Sequence, residues 1–190
     1  MTEPEKKPES PARLTLVLLS ITLATSLLLG LTDYITRDRI REIYIEKTAS
    51  AMREVLPADE YTESDYSGSD SLVKGVCLAY IGGDIGGYVV EVAPSGFGGA
   101  VNMVVGVDPD GVVTGVAVTG MTETSGLGSA AAGEGFRNQY VGGNGGFAVN
   151  KDGGDIDALT GATITSRAVT DGVNAAVKAV ESLGWEASGK

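Results

Sequence analysis

Residues Leu14–Leu31 form an uncharged run of eighteen, LTLVLLSITLATSLLLGL. As a helix such a run rises about 27 Å, close to the thickness of a bilayer's hydrocarbon core. The spacing predicts a transmembrane helix over 14–34, with flanking residues completing the span. A secretory signal is the rival reading. Against it, the preceding residues mix Glu3, Glu5 and Glu9 with Lys6, Lys7 and Arg13, and no small-residue cleavage site follows the run. The reading is a retained anchor, with residues 1–13 a disordered tail. Residues 35–57 read as a helical stalk: Ile40, Ile43, Lys47, Ala51 and Leu56 keep a partial three-to-four spacing, and Pro57 ends the run. Arg37, Arg39 and Arg41 fall where lipid headgroups would be. Basic residues lie on both sides of the span, so the positive-inside rule leans only slightly toward a cytoplasmic domain.

Composition narrows what the rest can do. The net charge of −11 over 190 residues, with no basic stripe, argues against nucleic acid. The chain has no His, which excludes imidazole catalysis and His-ligated metals. Its single Cys77, within Val76-Cys77-Leu78, forms no internal disulfide and reads as a small buried hydrophobe. The 28 glycines give loops a large share of the structure.

Asp59 to Ser71 is acidic and Ser-rich and reads as a solvated loop. Short β-like runs follow at Val73–Ile81, Gly87–Val92, Ala100–Val107 and Val112–Val118. Asp108-Pro109-Asp110-Gly111 is a turn, since Pro presets φ and Gly accepts positive φ. The GGDIGG stretch at 82–87 has the wrong glycine spacing for a dinucleotide loop and reads as a hairpin turn. Phe136 to Tyr140 follows a small-residue helical segment and reads as a core anchor. Val141 to Gly154 is Gly- and Asn-rich. After Ser166, Val169, Val173, Val177 and Val180 share one helical face, a packing stripe that Gly172 weakens. Residues 184–190, with Trp185, read as a tail.

Two stretches carry chemistry. In Asp157-Ala158-Leu159-Thr160-Gly161-Ala162-Thr163-Ile164-Thr165-Ser166, four hydroxyls fall within seven residues at the start of a predicted helix. Free backbone N–H groups and the positive end of the helix dipole favour phosphate there. An ordinary N-cap with redundant Ser/Thr choices is the other reading of the same residues. The second stretch is Thr122-Glu123-Thr124-Ser125-Gly126-Leu127-Gly128-Ser129. Its Gly-flanked Leu and adjacent hydroxyls can present an apolar contact and backbone donors to a planar heterocycle, or form a plain surface loop.

Asp157-x-x-Thr160-Gly161-Ala162-Thr163 resembles the flavinylation motif of the FMN-binding domain family, and Glu123 to Gly128 resembles that family's Glu-Thr-Pro-Gly-Leu-Gly loop against the flavin ring. Ser125 stands where Pro is usual, and Met121 where a His is expected; its sulfur could contact the ring edge. The resemblance implies FMN joined through a phosphoester to Thr163 by a separate flavin transferase that uses FAD and magnesium. It implies cofactor contacts at Asp157, Thr160, Gly161, Ala162, Thr165, Glu123, Thr124, Ser125, Gly126, Leu127 and Gly128, and no metal site or catalytic residue. The implied fold is α+β: the anchor and stalk, then over 58–183 an antiparallel-sheet FMN-binding domain with flanking helices.

The implied function is that of an electron carrier, without a substrate site of its own, within an Rnf-type complex. Such a complex couples ferredoxin:NAD⁺ electron transfer to ion translocation. Length, single anchor and short motif spacing suit its G component better than the C component of a sodium-pumping NADH:quinone reductase. A stand-alone extracytoplasmic flavin reductase and an anchored binding domain without flavin are further alternatives. The resemblance places the N-terminus in the cytoplasm and the flavin domain outside the cell membrane, against the slight lean of the charges. The partners it implies are the other proteins of the complex, the transferase and membrane lipid.

Overall fold

The computed structural model describes residues 10–66 and 68–183; of the tail expected over 1–13, residues 1–9 lie outside them while Pro11 to Arg13 already belong to the first helix, and the tail expected over 184–190, Trp185 included, also lies outside them. The first helix, α1, runs unbroken over Pro11–Val55, so the segments read as span and stalk are one helix of 45 residues, about 68 Å long. Its side chains from Leu14 to Leu31 are exposed, an arrangement that water disfavours and lipid favours. Thr15, Thr22 and Thr25 donate to carbonyls one turn earlier, which hides their hydroxyls from an apolar surround. Arg37 pairs with Asp33 and Arg39 with Glu42, both in the open, where such pairs add little. The chain divides into two compact units between Ile45 and Glu46.

The second unit is built on a five-stranded antiparallel meander in chain order: β1 (Glu60–Glu63), β2 (Val73–Ile81), β3 (Asp84–Val92), β4 (Asn102–Val107) and β5 (Val113–Gly120). The strand β1 corrects the expectation of a loop across Asp59–Ser71, because Glu60 to Glu63 pair with Tyr80 to Cys77. Of the four residues only Tyr61 packs against the core, too little alternation to read as a strand, and the charge of Glu60 and Glu63 blunts the edge. The turn between β2 and β3 is Gly82-Gly83 alone, at φ +63° and +93°, the mirror-image turn that suits a tight hairpin. Asp108 closes the β4–β5 turn: its carboxylate accepts from the N–H groups of Asp110 and Val112, at 2.9 and 2.8 Å.

Alternation along the strands builds two cores, one per sheet face. On one face packs α3 (Thr163–Ser182), whose Val169, Val173, Val177 and Val180 are all buried against Val90, Val92, Met103 and Val105. Gly172 is part of that contact: a Cβ there would lie 2.2 Å from Met103 Cε and 3.0 Å from Pro94 Cγ. The helical propensity it gives up allows close packing. Phe136, in the short helix α2 (Glu134–Arg137), meets the ring of Tyr140 edge to face at 5.8 Å. On the other face Ala51, Val55 and Leu56, at the end of α1, pack with Cys77, Ala79, Val89, Val104 and Ala117. Burial, with Glu91 and Glu63 nearby, pushes the Cys77 thiol up from its ordinary value.

Candidate functional site

The start of α3 is shaped by a turn in which Gly161 takes φ +78°. Ala162 occupies the N-cap position and no side chain caps the helix. The hydroxyls of this stretch therefore do other work than capping. Ser166, fully buried, accepts from the Leu159 N–H at 2.9 Å and donates to the Ala162 carbonyl at 3.0 Å, pinning the turn to the first helical turn. Behind it Thr170 donates to the Ser166 carbonyl at 2.8 Å and meets the Tyr140 hydroxyl at 2.9 Å. Burial raises the Tyr140 phenol to about 12. With the backbone so fixed, Thr163 stands half-buried at the first position of α3.

The loop after β5 lies against this turn. A Cβ on Gly161 would sit 3.3 Å from Leu127 Cδ2, so the two stretches touch directly. Thr165, itself buried, donates to Glu123 Oε2 at 2.9 Å. Glu123 Oε1 accepts from the Gly98 N–H at 3.1 Å, and the Thr122 hydroxyl donates to the Gly98 carbonyl at 2.8 Å. These bonds bring in a third segment, the Gly96–Gly99 loop between β3 and β4, which carries Phe97.

The three segments enclose an open cavity of about 430 Å³, a volume ordinary for a small-molecule site. Glu123, Thr124, Leu127, Gly128, Gly161, Ala162, Thr163 and Thr165 line it, together with Phe97 and Ile164. Ser125 and Gly126 lie on the exposed outer bend of their loop, and Thr160 is exposed; none of them is in the cavity wall. Asp157 is also outside the wall, held by Gln139 on its N–H at 2.7 Å and by the Asn150 side chain on its carboxylate at 3.1 Å. Met121, a candidate ring contact, packs instead against the main core and is not in the cavity wall.

Sequence patterns mark neither Phe97 nor Ile164 as a site residue. The signal for Phe97 is a lone aromatic among glycines in Ser95-Gly96-Phe97-Gly98-Gly99, a poor pattern for a core position. It is 70% exposed, Ile164 52% and Leu127 46%, so three large apolar side chains that line the cavity are also open to solvent. On the next turn Arg167 makes two hydrogen bonds to Asp152, at 2.7 and 2.6 Å, and holds that carboxyl below its usual range.

This set fits a planar heterocycle with a phosphate tail: apolar surfaces for the ring, an uncapped helix N-terminus and a hydroxyl for the phosphate, and glycines where the walls come close. A Cβ on Gly128 would lie 2.5 Å from Glu123 Oε2, inside the wall itself. The fold and the cavity suit a domain that binds one small molecule of this kind.

Comparison with known proteins gives the family. The FMN-binding domain profile matches residues 96–178. The G component of the Na(+)-translocating ferredoxin:NAD(+) oxidoreductase complex of Acetobacterium woodii is 32% identical, aligned over 90% of this chain and 92% of that protein. The G component of the ion-translocating oxidoreductase complex of Aliivibrio fischeri is 34% identical over 86% and 87% of the two chains. Among solved structures, the C component of the Na(+)-translocating NADH-quinone reductase from Parabacteroides distasonis superposes with a TM-score of 0.52 at 19% identity, over 70% of this chain and 80% of that one, a likeness of fold. The chain belongs to the FMN-binding domain family and is a relative of the G components of ion-translocating oxidoreductase complexes.

Proposed function

We propose that this chain is the membrane-anchored, FMN-carrying electron-transfer component of an ion-translocating oxidoreductase complex that works between ferredoxin and NAD⁺. The observation that carries the reading is the meeting of the two motif stretches in one cavity, on a chain alignable almost end to end with the G components of such complexes. FMN supplies reversible one- and two-electron chemistry when bound. The chain's own residues supply its place. Thr163 Oγ takes the FMN phosphate from FAD: the Oγ–P bond forms, the pyrophosphate breaks, AMP leaves, and the hydroxyl proton is lost. A flavin transferase with magnesium carries out this step, and Asp157, exposed beside the turn, is the residue offered to it.

Thr165 and Ser166 fix the helical turn that presents Thr163, and Leu127, Phe97 and Ile164 cover the ring against water. α1 crosses the membrane in contact with lipid, and the domain stands on the extracytoplasmic side. A covalent tether retains FMN where a free cofactor would diffuse away. The other proteins of the complex are the electron donor and acceptor.

The test is complementation. Membranes from a host lacking this chain should lose NAD⁺ reduction by reduced ferredoxin, the wild-type chain should restore it, and Thr163→Ala should not. Activity without the chain would remove it from the complex. Full rescue by Thr163→Ala would remove flavin at this residue from the electron path.

A further inference from the structure

The carboxylate of Glu123 forms part of the cavity wall and is held at both oxygens, by the Gly98 N–H at 3.1 Å and by Thr165 Oγ1 at 2.9 Å. The surrounding backbone is glycine at the points of closest approach: a Cβ on Gly96 would fall 2.2 Å from Oε1, and one on Gly128 2.5 Å from Oε2. Among the described residues, no Lys or Arg forms an ion pair with it. Two neutral donors thus aim a carboxylate without cancelling its charge. Its neighbours at the cavity are the apolar side chains of Phe97, Leu127 and Ile164, none of which offers it an opposite charge.

We propose that Glu123 lowers the reduction potential of the bound flavin, acting as a fixed negative charge in the wall of its site. The inference rests on the flavin reading above. Reduction brings two electrons to the flavin, with up to two protons drawn from solvent, and leaves the carboxylate chemically unchanged. A held negative charge opposes the incoming electrons and so favours the oxidised form. The same carboxylate ties the Phe97 loop to the first turn of α3, so one side chain both shapes the site and sets its electrostatics.

The experiment is spectroelectrochemical titration of the full-length, detergent-solubilised chain after co-expression with a flavin transferase. FMN content is read from intact mass. Glu123→Gln keeps the reach of the side chain and removes its charge; Glu123→Asp keeps the charge and shortens the reach by one methylene. The expected result is FMN on all three proteins, a midpoint potential shifted upward in Glu123→Gln, and one nearer wild type in Glu123→Asp. Equal potentials in wild type and Glu123→Gln would overturn the role of the charge. An upward shift in Glu123→Asp as large as that in Glu123→Gln would also overturn it, because reach would then be what matters. A folded Glu123→Gln without FMN would assign the carboxylate to attachment instead. Wild type that takes up no FMN would overturn the flavin reading and this inference together, an outcome distinct from loaded proteins with matching potentials.

Discussion

Thr165 Oγ1 donates to Glu123 Oε2 across 2.9 Å and 42 positions of sequence. The bond joins the first turn of α3 to the loop that follows β5, and through the other carboxylate oxygen it reaches the Gly98 backbone. The three segments bring different groups to the cavity: hydroxyls and Ile164 at a helix terminus, a Gly-flanked Leu beside the Glu123 carboxylate, and a Gly-flanked Phe. Neither the Leu nor the Phe is fixed by burial, so the hydrogen bonds between their loops and α3 give the site its shape.

The apolar rim should be visible in the flavin's spectrum. Leu127→Ala and Phe97→Ala each remove an exposed side chain, so stability should change by no more than about 0.5 kcal/mol. The mass gain from FMN should persist while its absorbance and fluorescence shift as water reaches the ring. A spectrum identical to wild type would remove that side chain from the ring contact.

Asp157 is tied down by its backbone and by Asn150 but lies outside the cavity wall. Asp157→Ala should therefore leave the fold intact and reduce the fraction of chain that acquires FMN in a fixed co-expression time, several-fold. Unchanged labelling would end its assignment to the transferase.

The face of the sheet opposite α3 is closed by the end of α1 through two glycines. A Cβ on Gly115 would lie 2.8 Å from Val55 Cα, and one on Gly106 would lie 2.7 Å from the Val55 carbonyl oxygen. That same carbonyl accepts from Thr114 Oγ1 at 2.7 Å. Gly115→Val should push Val55 away, break this bond and destabilise the domain by about 2 kcal/mol, as overpacking does. A denaturation midpoint equal to wild type would contradict the packing described.

Tyr140 predicts a pH dependence. Its phenol rises from 10.0 to about 12 in the folded chain. A raised value means that the contribution is whole below pH 10 and lost as pH rises toward 12. Stability should fall across that window, and by less in Tyr140→Phe. At neutral pH that variant should lose about 1 kcal/mol with the bond to Thr170. Parallel declines in the two proteins would contradict it.

Much of the fold could be read from local pattern. Val73–Ile81 has the length and β-branched content of a strand, and the four valines of α3 mark its buried face. The strand β1 could not be read, because Glu60 to Glu63 offer a single inward residue, Tyr61, and no repeated alternation. Gly172 read as a weakness because the Met103 methyl that occupies its missing Cβ comes from a distant strand. The two motif stretches were legible because each is local in sequence. Phe97 joined them only in three dimensions, and Met121 turned away into the core for reasons a linear pattern does not hold.

Covalent attachment of the flavin at Thr163, as proposed above, can be read directly from intact mass. The full-length chain and Thr163→Ala would each be co-expressed with a flavin transferase and weighed. Wild type should gain one FMN less one water, and Thr163→Ala should gain nothing while keeping its fold. A gain in both proteins would move the acceptor to another residue, and a gain in neither would contradict covalent attachment.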